Sequence, residues 1–231
     1  MRHTAAHRLG GSEFHPYESD LVNDLITHLP KYLKRSNRTC AIHREVGVGR
    51  SIADVVATLL PADAGRVPPV LSVKDSVLVS LLRQNGPTRI DVLERMCGVP
   101  PKSLRGEHIH RLVASGIVVV GDGGRVALAR WSRSAALIAI EAKLTRWLDA
   151  LEQALEYRRF ADRVYVALPA DCVAPALRAR AMFQRAGVGL LAVNGSIQRE
   201  IPAAAPTTHD WRREYVYSRL LASTTRGNES A

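Results

Sequence analysis

Asp54 and the triplet Glu141-Ala142-Lys143 are the residues of this chain best suited to carrying chemistry. Two carboxylates brought side by side hold a hard divalent cation such as Mg2+, or Mn2+, through oxygen and leave waters in its shell. A cation held in this way neutralises charge developing on a phosphate and lowers the pKa of an attacking water, which phosphodiester hydrolysis requires. Strand alternation puts Glu141 and Lys143 on one face, so Lys143 can meet either the scissile phosphate or the attacking water. The Ala142 carbonyl can add a further metal ligand. A Glu-x-Lys triplet is common by chance and also suits a solvated strand end. The run Ala135 to Ile140 argues for a site, because it is apolar throughout and Glu141 emerges directly from it. Sites form at the ends of core strands in open α/β sheets.

The elements that must position these residues are legible from periodicity. Leu21, Val22, Leu25, Ile26 and Leu29 predict a helix from Tyr17 to Leu33, with Glu18, Asp20, Asn23 and Asp24 mostly opposite and Pro30 ending or kinking it. Arg38 to Val48 reads as a strand, Val48-Gly49-Arg50 as a tight turn, and Ile52 to Leu60 as a second strand that places Asp54 near its start. Ala135 to Ala142 is an apolar strand, Leu144 to Tyr157 a helix, Arg163 to Leu168 a strand and Ala174 to Arg185 a helix. Val188 to Val193 reads as the last strand, Ile201 to Pro206 as a loop and Trp211 to Leu221 as a helix, with a frayed end from Ser223.

Between the two acids the pattern changes. Asp63 to Pro69, rich in Pro, Gly and Ala, reads as a linker. A helix over Lys74 to Gln84 stops at Asn85-Gly86-Pro87, and Thr88 is placed to cap a short helix carrying Ile90, Leu93 and Met96. A third helix runs from about Pro101 to Ser115, and a hairpin follows through the turn Asp122-Gly123-Gly124. Three short helices and a hairpin in this order spell a winged helix-turn-helix. With Leu104, His108, Leu112 and Val113 facing inward, Lys102, Ser103, Gly106 and His110 point outward, flanked by Arg105 and Arg111. A recognition helix uses such residues on bases and phosphates, and Arg125 in the wing reaches a groove. Winged helices also serve as protein-contacting modules, and both uses remain open.

The chain of 231 residues can bury a substantial core, and its 46% hydrophobic and 23% charged content is that of a globular protein. Its 32 Lys and Arg against 22 Asp and Glu give a formal charge of +10, which favours a polyanionic partner, chiefly nucleic acid. Lys31, Lys34, Arg35, Arg38, Arg44 and Arg50 form one basic stretch. An acidic membrane surface is the rival partner, but no basic amphipathic stretch with an aromatic face supports it, and no apolar run approaches a membrane span. Cys40, Cys97 and Cys172 lie far apart, against zinc and against a disulfide framework, and the expected setting is the reducing cytoplasm. His3, His7 and His15 read as solvated residues of an N-terminal arm. Gly47-x-Gly49 is too short to cradle a phosphate, and there is no Walker motif, GxSxG or Cys-His nucleophile.

The run Glu45-Val-Gly-Val-Gly-Arg50-Ser-Ile-Ala-Asp54-Val-Val, followed by Ile140-Glu141-Ala142-Lys143, resembles the core of the PD-(D/E)xK nuclease superfamily. Gln153-Ala-Leu-Glu-Tyr157 is similar to the Gln-x-x-x-Tyr element of its RecB-like members, and Ala161 to Ala167 fits their next core strand. Ala53 stands where the family's motif proline would precede Asp54. The resemblance spans roughly Tyr17 to Val193 without the insert, which enters near Ala62 and leaves near Arg130. It implies a restriction-endonuclease-like αβββαβ core with an inserted winged-helix domain, divided as 1–62, 63–132 and 133–222 with a disordered tail over 223–231. It further implies Asp54 and Glu141 as metal ligands and Lys143 as catalytic base or electrostatic stabiliser. Glu18 falls where many members carry an acid that meets the metal through water. Gln153 would orient the Lys143 side or a phosphate, with Tyr157 stacking or hydrogen-bonding nearby. The expectation is a Mg2+-dependent DNA endonuclease, in which a homodimer would serve both strands. The alternatives are a non-catalytic DNA-binding regulator and a complex subunit on the same scaffold.

Overall fold

A computed structural model of the chain describes residues 15–34, 38–61, 69–129, 136–205 and 210–228. Residues 63–68 of the expected linker, the insertion points near Ala62 and Arg130, and His3 and His7 lie outside them. Among the described residues no helix is long and apolar enough to cross a membrane.

Helix α1 (Glu18–Leu33) is followed by a long hairpin of β1 (Arg38–Val48) and β2 (Ser51–Pro61). The two-residue turn Gly49-Arg50 closes it, with Gly49 at φ +68°, a conformation glycine adopts without steric penalty. Strand β6 (Ala136–Ala142) then pairs antiparallel to β2, while β7 (Arg163–Pro169) and β8 (Gly189–Val193) continue the sheet in parallel. An antiparallel edge strand, β9 (Ile197–Ile201), completes a six-stranded mixed sheet in the order β1-β2-β6-β7-β8-β9. The expectation that Val188 to Val193 is the last strand is thus corrected. Gln198, Arg199 and Glu200 hide β9 from a hydropathy reading, since only Ile201 of this edge strand is buried.

Both faces of the sheet are covered. Leu21, Leu25, Leu29 and Leu33 of α1 pack on Val55, Ala57, Ile138 and Ile140. On the other face α6 (Trp147–Tyr157), α8 (Arg180–Ala186) and α9 (Trp211–Asn228) supply Ala150, Ala154, Phe183, Val216 and Leu220 against Val56, Ala139 and Val166. Pro30 does not end α1, because Leu29 and Leu33 are both held in the core and only the last turn follows the missing N–H. The expected helix from Ala174 is split into α7 (Ala174–Arg178) and α8. Helix α9 runs on to Asn228, past the fraying expected from Ser223.

Between β2 and β6 the chain builds a unit with its own core. It comprises α2 (Val73–Asn85), β3 (Thr88–Arg89), α3 (Ile90–Cys97), α4 (Pro101–Ser103), α5 (His110–Ala114), β4 (Val118–Gly121) and β5 (Arg125–Leu128). A π-helical stretch, Leu104–Ile109, joins α4 to α5 into one helix over 101–114. The wider π turn shifts the helical phase, so Ile109 is buried where Val113 was expected, and Val113 is 42% exposed. Thr88 does not cap α3. It sits in β3 with its hydroxyl donating to the Gly86 carbonyl at 2.9 Å.

The unit is knit by Asp75. Its carboxylate accepts the Ser72 N–H at 3.3 Å while Ser72 Oγ accepts the Asp75 N–H at 3.1 Å, which caps α2. It also meets His108 Nδ1 at 2.8 Å and Arg111 Nη2 at 2.6 Å. Burial pushes Asp75 up, but the hydrogen bonds from Arg111, His108 and Ser72 together hold its carboxyl below the usual 3.8. The network therefore stabilises the unit fully above that value and is lost as pH falls through the lower folded value. Hydrogen-exchange protection factors of α2 should fall in the wild type as pH drops below the usual carboxylate range. They should fall less in Asp75→Asn, and equal acid sensitivity of the two proteins would contradict this role.

Candidate functional site

The β2–β6 ladder ends at Val55 paired with Ile140, and Asp54 and Glu141 are the next residues beyond that pair. Glu141 follows Leu137 and Ala139 onto the face covered by α6. The 69–129 unit does not disturb this register, because it leaves and rejoins the sheet beyond the Leu59–Ala136 end of the ladder. The two distant acids thus converge at the carboxyl end of β6.

Hydrogen bonds fix both carboxylates. Asp54 Oδ2 accepts the Ala142 N–H at 2.8 Å. Glu141 is only 1% exposed; its Oε2 lies 2.6 Å from the Tyr157 hydroxyl, and its Oε1 lies 3.1 Å from Lys143 Nζ. The single Tyr157 proton is shared with the Ile52 carbonyl, also 2.6 Å away. Lys143 Nζ reaches Glu18 Oε2 at 3.4 Å, which brings the first-helix acid into the same cluster. Tyr157 therefore hydrogen-bonds rather than stacks, and Glu18 meets the lysine directly.

The cluster is short of positive charge. Burial pushes the Asp54 carboxyl up; the Ala142 N–H and Lys143 oppose this, and the charges of Glu18 and Glu45 add to it. Glu141 is likewise raised by burial, relieved by the Tyr157 hydroxyl and aggravated by Asp54. Burial works against the Lys143 ammonium, yet Glu141, Asp54 and Glu18 outweigh it and raise the lysine above its ordinary value. Burial and the neighbouring Glu141 hold Tyr157 protonated far above its usual range. Buried carboxylates of like charge are unfavourable unless a cation or further donors compensate them.

This donor set fits a small, hard divalent ion. Mg2+ takes one or two carboxylates and keeps several waters, and Mn2+ accepts the same oxygen ligands. The N–H and C=O of one strand residue point to the same neighbour. The Ala142 carbonyl therefore faces β2, as does the N–H that Asp54 accepts. Among the described residues no group of three or more His, Cys, Asp or Glu side chains is arranged to hold a metal. An ion at this place would rest on Asp54, Glu141 and backbone or water oxygen.

The other expected site residues divide between two surfaces. Arg50, Gln153 and Tyr157 line one cleft of about 790 Å3 with Ile52 and Glu152, and Tyr157 connects it to Glu141. Lys102 and His110 are exposed on the inserted helix. Ser103 donates to Glu107 at 2.8 Å, Arg105 to Glu94 at 3.0 Å and Arg125 to the Pro87 carbonyl at 3.3 Å. Arg111, expected to face DNA, is engaged by Asp75 within the unit, although its side chain is half exposed.

Two features escaped the sequence reading. Glu45 lies opposite Asp54 across the hairpin, between the pairs Arg44–Val55 and Val46–Ala53, and takes a left-handed φ of +51°. Counting back from the Gly49-Arg50 turn could have found it. His15 and Asp24, expected on the solvated side, are buried and joined at 2.8 Å, and Asp24 also accepts the Gly195 N–H at 2.9 Å.

Compared with known protein families, curated proteins and solved structures, the chain matches none.

Replacing Tyr157 by Phe leaves Glu141 Oε2 without its hydroxyl donor. Urea denaturation of the metal-free protein should show a loss of about 1–3 kcal/mol, whereas an unchanged midpoint would mean the hydroxyl does not hold the carboxylate.

Proposed function

We propose that this chain is a metal-dependent DNA endonuclease of the PD-(D/E)xK type, in which the 69–129 unit is a winged helix that positions DNA. The observation that carries the reading is the meeting of Asp54, which accepts the Ala142 N–H at 2.8 Å, with Glu141, whose Oε1 lies 3.1 Å from Lys143. A bound Mg2+ would supply Lewis-acid stabilisation of the phosphate and a water of lowered pKa. The protein's own groups do the rest. Asp54 and Glu141 present oxygen ligands, and Tyr157 fixes Glu141 from behind so that Oε1 faces Lys143. The Lys143 ammonium, kept charged by its three acidic neighbours, is placed to hold a phosphate oxygen or orient the attacking water. The formal charge of +10 supports a polyanionic substrate, and a homodimer would bring one site to each strand.

A second reading, a subunit whose inserted unit contacts protein, draws on Val119 and Val120 of its hairpin, 51% and 48% exposed. DNA affinity that is present at low salt and falls as salt rises favours the nuclease reading; no affinity favours the second.

Supercoiled plasmid incubated with Mg2+ is the direct assay. The wild type should nick it, while Asp54→Ala and Lys143→Ala should each lose at least about 100-fold in rate. Equal nicking by all three would overturn the assignment.

A further inference from the structure

The inserted unit is tethered at the wrong end of the sheet to be positioned by its connections alone. Its two connections join β2 and β6 beyond Leu59–Ala136, whereas the carboxylates lie past Val55–Ile140, about 13 Å of strand away. Its buried apolar core, from Leu71 to Val126, is closed on itself and shares no residue with the two cores of the sheet. Its attachment to the rest of the protein runs through α2, which packs against α9.

That contact is polar and directional. Arg83 Nε lies 2.7 Å from Glu214 Oε1 and Arg83 Nη2 lies 3.1 Å from Glu214 Oε2, a two-bond fork that fixes the plane of both groups. The Glu214 side chain is 3% exposed and that of Arg83 15%, so water does not compete for the fork. Just before the other end of α2, the Leu71 N–H donates to Ser218 Oγ at 3.0 Å. Two fastenings at opposite ends of one helix restrain rotation as well as separation. Helix α9 is itself seated in the sheet core through Val216, Tyr217, Leu220 and Leu221. A buried ion pair adds little net stability over a well-packed apolar pair, so its distinctive effect here is on geometry.

We propose that the Arg83–Glu214 pair is a positioning device that sets the distance between the inserted unit and the Asp54–Glu141 site, and with it the offset between the DNA gripped and the bond cut. The cut-offset half rests on the nuclease reading above; the rigid coupling does not. The experiment therefore has two readouts. Spin labels at Arg95→Cys and Arg178→Cys, in a chain whose Cys40, Cys97 and Cys172 are Ser, report the distance from insert to core. The parent should give one narrow distribution, Arg83→Glu a broad one, and the reversed pair Arg83→Glu with Glu214→Arg a narrow one again. The second readout maps cleavage on a labelled duplex: a single offset for the parent and the reversed pair, scattered offsets for Arg83→Glu. A broad distribution in the parent, or one that Arg83→Glu leaves unchanged, overturns the proposal even if the single variant fails to fold, because parent and reversed pair still decide it. A narrow distribution without any cleavage supports the coupling and overturns the nuclease reading instead.

Discussion

A buried carboxylate with a second, half-buried one beside it is the constraint around which this molecule is arranged. Asp54 and Glu141 stand just past the end of an apolar ladder, both pushed toward the neutral form by burial. An unpaired buried charge is costly, and like charges at close range add to the cost. The chain offsets this with one ammonium, one hydroxyl and one backbone N–H, from Lys143, Tyr157 and Ala142. Clusters of perturbed titratable groups occur at functional sites and in structural ion-pair networks alike.

The surrounding elements hold that arrangement in place. Leu137 to Ala142 are buried on both faces of the sheet, which fixes the height at which Glu141 emerges. Ala150 and Ala154 let α6 approach closely enough for Tyr157 to reach the carboxylate from the far end of the helix. Helix α1, held by Leu21, Leu25 and Leu29, brings Glu18 to Lys143. Because β2 and β6 are antiparallel neighbours, a whole folded unit can stand in place of their connecting turn without altering the register near the acids. Lengthening a connection is entropically inexpensive once the strands are independently paired.

Much of this was legible before any coordinates. The long hairpin, the apolar β6, the helix carrying Gln153 and Tyr157, and the helices and hairpin of the insert all follow from period and turn chemistry. The pairing of Glu141 with Lys143 follows from alternation. The meeting of Asp54 with Glu141 does not, since it depends on two strands pairing across an intervening folded unit. Residues that are polar by type but buried by long-range contact were also beyond reach. Asp24 is sealed by His15 and the Gly195 N–H, and Asp75 by His108 and Arg111. The π stretch exchanged Ile109 for Val113 because it breaks the period that the sequence reading assumes.

The central claim is that Asp54 and Glu141 share one divalent cation. Crystals grown with Mn2+ and measured at the manganese absorption edge test it directly. An anomalous peak within coordinating distance of both carboxylates, lost in Asp54→Ala, is the expected result. Manganese bound elsewhere, or no peak at the two acids under saturating metal, would contradict it.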